Sequence, residues 1–342
     1  MIDTIKIFTN INKSIYDIIR NSSIVKTSYH SATGEVFYNI VNDKLEGSFD
    51  SSLSVRVGEG VKYRFTQGYY IEIEGLYHKI SLGYNSHNGY YNLFSICDKL
   101  VEMCNKTYNI KLPDLQHWFL QRIDIAKCFD LQTNSNVCRY INNLSYCNYP
   151  RRKLKHFNDE SIYLSGTSTT LKIYNKLLEF RKHDIKKLNV DGFDVLGFCH
   201  TIDGFVRFEC EIKKQKLINV YDKKYLRIRN VSYKELEKIW SEEFMKLLKL
   251  FENDIKKVRK KEEVENRLKT LYKENLANRL YDFYMSIMCD GLKNVKNRTK
   301  KTTYYRNLQY LKEANIDLTQ SFNIDFEENI VDFDPFTMKE VV

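Results

Sequence analysis

The sequence predicts an α+β protein, with a largely antiparallel β-sheet over residues 1–230 and a mainly helical region over residues 231–342. Three observations carry this. Apolar and polar residues alternate with period two in many short runs before about residue 215, the mark of strands with one buried face. Near residue 232 the pattern changes: Ser232-Tyr233-Lys234-Glu235 has capping-box spacing, and a helical period then runs through most of 233–314. A third is the scarcity of chain breakers, 13 Gly and 3 Pro in 342 residues, which leaves little material for linkers or a loop-rich fold.

Taken in order, alternating runs cover Ile2 to Phe8, Gly34 to Ile40, Leu53 to Val57 and Tyr69 to Ser81. They continue at Trp118 to Phe129, Ser161 to Leu164, Thr170 to Lys176 and Phe205 to Lys213. Helical periods interrupt them at Tyr91 to Tyr108 and at Asn134 to Leu144. Strands interspersed with a few helices make an α+β domain rather than a parallel α/β one. In the C-terminal region Leu276 to Met288 is helical, Asp290-Gly291 is a turn, and Leu292 to Asn297 forms a short helix. Thr302 opens a further helix to Ala314. That order has two readings. One is a helix-turn-helix presenting Thr303, Tyr304 and Arg306 to duplex DNA; the other is an ordinary bundle with those tyrosines in its core. Lys256 to Lys261 is a basic run of the kind that usually forms the wet side of a helix, and the last 25 residues read as a loosely packed tail.

Composition narrows the function class. A formal charge of +10 favours a polyanionic partner, because neutralised phosphates release counterions. The eight cysteines form no C-x-x-C pair and read as buried free thiols of a reducing cytoplasm. No apolar run approaches 18 residues and the first residues lack a signal-peptide core, so a soluble cytoplasmic protein with no membrane partner is expected.

The strands place unusual chemistry on their polar side. Arg207, Glu209 and Glu211 share one face of a strand, as do Glu72 and Glu74, Arg122 and Asp124, and Lys172, Tyr174 and Lys176. Carboxylates converging from separate strands repel one another unless a cation lies between them, and hard oxygen donors suit Mg²⁺ or Mn²⁺. A tyrosine on that surface could attack a phosphodiester, with lysines offsetting phosphate charge and lowering the phenol's pKa. The other reading is a solvated sheet face whose arginines and glutamates form surface ion pairs.

Four segments then add a resemblance. Glu72 is followed by Lys79 and Gly83-Tyr84-Asn85, and then by Arg122-Ile123-Asp124. Tyr174-x-Lys176-x-x-Glu179 follows an apolar strand, and Val206-Arg207-Phe208-Glu209 precedes Lys213. In order and spacing these resemble the replication initiators of the filamentous-phage gene II protein family, over most of the chain from Met1-Ile2-Asp3 onward. The resemblance implies a nickase domain of degenerate rolling-circle-initiator type in a bacterial host, with Tyr174 as the DNA-linking nucleophile. It also implies catalytic roles for Lys176 and Glu179, the latter open between ligand, base and helix surface. Metal ligation by Asp124 and Glu209 is implied, with Glu72 or Glu74 as a third ligand. Arg122, Lys172 and Arg207 would contact phosphate or orient the carboxylates. Origin DNA, double- and single-stranded, is the implied partner, followed by a host helicase and DNA polymerase. Tyr84 stands where the family has a histidine, and His78 and His87 read as loop or surface residues. Two rivals stay open: a metal-dependent nuclease using water, and an origin-binding or repressor protein without catalysis.

Overall fold

The structure, a computed structural model, describes the chain except residues 23–24, 30–35, 47–51, 60–67, 83, 86–88, 146–148, 159, 186–191, 256–260, 317, 319–334, 337–339 and 342. Residues 34–35 of one expected strand, Gly83, His87, most of the basic run and most of the tail therefore lie outside the described residues.

The first half alternates as the period-two runs require. In chain order come β1 (Ile2–Ile11), α1 (Lys13–Asn21), β2 (Val25–Tyr29), β3 (Val36–Glu46), β4 (Ser52–Glu59), β5 (Tyr69–Leu76), α2 (Tyr77–Leu82), α3 (Leu93–Tyr108), β6 (Phe119–Asp130) and α4 (Asn134–Ser145). Then follow β7 (Lys153–Phe157), β8 (Ser161–Ser165), β9 (Thr169–Asn175), α5 (Lys176–His183), α6 (Val195–Thr201), β10 (Phe205–Lys213), α7 (Lys214–Tyr221) and β11 (Leu226–Arg227). All pair antiparallel in one sheet of order β2-β3-β4-β5-β1-β6-β10-β9-β8-β7, with β11 added beside β6. The expected strand Tyr69 to Ser81 stops at Leu76. Beyond it Tyr77, His78 and Ile80 are all buried, a spacing that a helix satisfies and a strand does not.

One face of the sheet is the core. Ile5, Ile7, Ile73, Ile123, Ile125, Ile173, Phe208 and Cys210 are each below 1% exposed there. α4 reaches it through Tyr140 against Phe208, and the start of α8 (Tyr233–Ile255) lays Trp240 and Phe244 on Phe208. The Trp240 indole N–H donates to the Phe208 carbonyl at 3.1 Å, satisfying a polar atom that burial would otherwise strand. β4 and α2 pack closely over Gly75: a Cβ there would meet the end of the Leu53 side chain at 2.5 Å and Ile80 at 3.2 Å, so a larger residue would require Leu53 to shift.

The chain divides into two compact units. The first comprises Met1–Ser145, Tyr149–Met245 and Val331–Val342; the second comprises Tyr146–Asn148 and Lys246–Ile330. The division falls inside α8 rather than at residue 230, because Leu236, Ile239, Trp240 and Phe244 of its first half belong to the sheet's core. The second unit contains α9 (Lys261–Leu271), α10 (Glu274–Arg298) and α11 (Lys301–Glu313) around Leu268, Leu280, Tyr284, Ile287, Tyr304 and Leu311. Gly291 bends α10 with φ 82°, a left-handed value that favours glycine. Among the described residues no helix is long and apolar enough to cross a membrane. Cys97, Cys104, Cys128, Cys199 and Cys210 are buried free thiols as expected, but Cys289 is exposed.

Candidate active site

The second face of the sheet carries the chemistry, and its register explains who meets whom. Antiparallel partners share a face, so Tyr174 on β9 stands opposite Arg207 on β10, which stands opposite Cys128 on β6. One row along, Lys172 faces Glu209; in the next, Glu211 faces Asp124. The alternative reading of a solvated face does not hold at its centre, which is dry. Asp124 and Arg207 are fully buried and Glu209 is 4% exposed, with α5, α6 and Tyr84 closing one end through Phe180, Phe198 and Phe205.

Burial makes every pairing there consequential. Tyr174 donates its hydroxyl to Glu209 Oε2 at 3.1 Å. Lys172 donates to Glu209 Oε1 at 2.6 Å and sits 3.6 Å from Asp124 Oδ2. Arg122 grips both oxygens of Asp124, at 2.8 and 2.6 Å, and reaches Glu74 at 3.0 Å. Arg207 donates to Asp3, whose strand β1 shifts register between Ile2 and Ile5; this irregularity coincides with Asp3 reaching the polar face. Oxygens of Asp3, Asp124 and Glu209 all lie within 4.8 Å of one another.

The electrostatics follow from burial and from these partners. Desolvation raises Asp3, against the pull of Arg207. It pushes Asp124 up to about 7, against the hydrogen bonds from Arg122. Glu209 suffers the same desolvation, but Lys172 and Arg207 outweigh it and draw its pKa down to about 2. The Tyr174 phenol is raised well above its ordinary value by burial, with Arg207 the main opposing influence. The phenol was expected to be lowered by lysines. Instead Lys172 is spent on Glu209 and Asp124, and the neighbouring cation is Arg207.

Three buried carboxylates, two of them shifted toward protonation, form a hard oxygen donor set that a divalent cation would fit. Glu72 and Glu74 lie outside that trio. Lys6 approaches Glu72 at 4.0 Å and Glu74 at 3.2 Å, and Arg122 also engages Glu74. Asp3 is not among the acids singled out in the sequence, although Met1-Ile2-Asp3 opens the resemblance; a lone acid in an apolar opening gives no local sign of converging on Asp124.

The remaining expected residues take varied places. Lys176 and Glu179 pair at 2.7 Å on the first turn of α5, Lys176 fully buried. An open cavity of about 340 Å³ is lined by Glu179, Tyr174, Lys172, Glu209, Tyr163 and Phe157, among others, and gives access to the phenol and its acceptor. Lys79 and Asn85 both converge on the buried Asp184 carboxylate, Lys79 Nζ at 2.6 Å and the Asn85 backbone N–H at 3.0 Å. That part of the recurring pattern ties the segment after β5 to the end of α5. Tyr84 packs against Phe180, Phe193 and Phe198. His78 is not a surface residue: it is 1% exposed, stacks on Tyr90 and accepts or donates at Nε2 with the Tyr90 N–H and the Ile2 carbonyl. In the second unit Tyr304 is 4% exposed, packs edge-on against Phe283 and donates to the Leu292 carbonyl at 3.3 Å. It is part of the core and cannot also face DNA; Arg306 is exposed and Thr303 half-buried.

Searches of curated proteins and of solved structures find no match. A family model described as the N-terminal region of the gene II replication-associated protein matches residues 1–235, the whole of the sheet and the start of α8. The chain belongs to that family and is a phage-type replication initiator of the gene II kind.

Proposed function

We propose that this initiator nicks origin DNA with Tyr174, leaving a 5′-phosphotyrosine and a free 3′-hydroxyl. The observation that carries this is the 3.1 Å hydrogen bond from Tyr174 to Glu209, made inside the carboxylate trio and open to the cavity. Asp3, Asp124 and Glu209 would hold Mg²⁺ or Mn²⁺, which when bound would polarise the phosphodiester and stabilise the leaving oxygen. Glu209 Oε2 orients the phenol and accepts its proton as the oxygen attacks phosphorus. Arg207, one row from Glu209 and opposite Tyr174, offsets the charge that then develops on the phenolic oxygen. The phosphorus–O3′ bond breaks and the 3′-oxygen leaves with a proton from solvent. Lys172 and Arg122, each about one-quarter exposed or less, are placed to receive phosphate oxygens once the carboxylates they now hold are shared with a metal. Lys176 and Glu179 support the same wall of the cavity. The 3′-hydroxyl primes a host polymerase behind a host helicase, and the reverse reaction rejoins the displaced strand. Arg306 and Thr303 of α11 are proposed contacts to duplex origin DNA.

A second reading has its own observation. The Tyr174 phenol is buried and its pKa is raised, which favours a nuclease in which water attacks and Tyr174 only orients Glu209. One experiment separates them: wild type and Tyr174→Phe incubated with a labelled single-stranded origin oligonucleotide and Mn²⁺, read on a denaturing protein gel. A covalent adduct with wild type only establishes the tyrosine mechanism. Cutting by both without adduct establishes the water-using nuclease. Tight duplex binding with no cutting by either assigns an origin-binding role without catalysis.

A further inference from the structure

The sheet register carries the active-site face outward to the strand at the sheet's edge. Phe157 on β7 pairs with Ser161 on β8, Ser161 with Tyr174, and Tyr174 with Arg207. One row along, Lys155 pairs with Tyr163, Tyr163 with Lys172, and Lys172 with Glu209. In the third row Lys153 leads through Ser165 and Thr170 to Glu211, opposite Asp124. Partners in each row project on one side of the sheet, so Lys153, Lys155 and Phe157 lie on the face that bears Tyr174. From β7 to β10 is about 14 Å, three interstrand spacings.

β7 is exposed along its whole length, and Phe157 is 47% exposed. Its ring meets that of Tyr163 edge-to-face at 5.3 Å, and both line the cavity that reaches Tyr174. Lysines on an edge strand are commonly placed to discourage pairing with another chain. That purpose explains Lys153 and Lys155 but not a half-exposed phenylalanine on the same strand, in the row that leads to Tyr174. Among the described residues neither lysine is held in an ion pair, whereas the acids at the cavity are matched: Glu179 by Lys176 and Glu160 by Lys182.

We infer that the β7–β8 hairpin is a landing track for the single-stranded DNA flanking the scissile phosphate. Phe157 and Tyr163 stack a base in the cavity, and Lys155 and Lys153 take successive phosphates. Stacking and backbone charge together hold a strand without reading its sequence, which suits a hairpin whose task is to aim the phosphodiester at Tyr174. The inference rests on the nicking reading for its purpose, but its binding measurement is independent of cutting.

The test uses full-length Tyr174→Phe protein, which cannot form the adduct, and a twelve-residue oligothymidylate in Mg²⁺ buffer. Adding Phe157→Trp should give saturable fluorescence quenching by the oligonucleotide as the introduced indole stacks. Phe157→Ala should weaken binding, measured by anisotropy of a labelled oligonucleotide, by about tenfold. Lys155→Ala should reduce the slope of log affinity against log salt by about one. An unquenched indole with Phe157→Ala binding within twofold of its parent overturns the track. If the gel assay shows an adduct while Phe157 has no effect, the track falls and the nickase stands. If Phe157 governs binding but no adduct forms, the strand-binding surface stands without the tyrosine mechanism.

Discussion

The Tyr174 hydroxyl donates to Glu209 Oε2 across 3.1 Å, and the opposite oxygen of the same carboxylate receives Lys172 at 2.6 Å. Glu209 thus joins the proposed nucleophile to the charged cluster. Glu209→Gln keeps an acceptor oxygen for the phenol but removes the charge that would take its proton. Adduct formation should slow by about 10²- to 10⁴-fold in protein that circular dichroism shows to be folded at the assay temperature, its unfolding midpoint lowered because Lys172 and Arg207 lose a buried counter-charge. A rate within threefold of wild type, timed on denaturing gels, would remove Glu209 from the chemistry.

Asp3 should matter to metal binding where Glu72 and Glu74 do not. Its oxygens approach those of Asp124 and Glu209, while Glu74 is occupied by Arg122 and Lys6. Asp3→Asn should weaken Mn²⁺ binding at least tenfold, followed by the free-ion paramagnetic resonance signal. Glu74→Gln should leave it within about twofold. The opposite ranking would move the cation site toward β5.

His78 supplies a pH dependence. Burial, aided by Arg207, lowers it to about 4, below the value near 6.5 of an unfolded histidine. The unfolded chain therefore takes up this proton first. The contribution is intact above pH 6.5 and is lost as pH falls toward 4, to the extent of about 3 kcal/mol. Urea midpoints between pH 7.5 and 4.5 should fall less steeply for His78→Gln than for wild type. Parallel curves would show that His78 titrates normally.

The second unit separates two side chains of α11, two positions apart, by role. Arg306 is exposed, so Arg306→Ala should weaken duplex origin binding by about 1–3 kcal/mol without abolishing cleavage of a pre-melted strand. Tyr304 is buried against Phe283, so Tyr304→Ala should lower the stability of the helical unit by about 3 kcal/mol. Equal duplex binding by Arg306→Ala would assign α11 to packing alone.

The parts of the site that are legible in the sequence are those that depend on one strand at a time. Glu209 beside Arg207, Tyr174 beside Lys172 and Asp124 beside Arg122 follow from period-two geometry, and the structure brings all six to one face. Less local relations escape such reading. Asp184 is an ordinary acid after a basic stretch, yet it receives both Lys79 and the Asn85 backbone. The helix α2 was hidden because Tyr77 to Leu82 is too short to display a helical period against the preceding alternation.

By itself, then, the sequence determined the antiparallel α+β class, the change to helices after residue 232, and which side chains share a strand face. Each depends on residues within a few positions of one another, where backbone geometry alone sets direction. Tertiary structure decided which faces meet and which acids converge. The irregular β1–β6 pairing accompanies the placement of Asp3 beside Arg207; Lys6 and Arg122 draw Glu74 aside; and burial leaves the centre of the charged face dry. Hydrogen-bond register between distant strands and the loss of water are properties of the assembled sheet, and both arise only when residues more than a hundred positions apart are packed together.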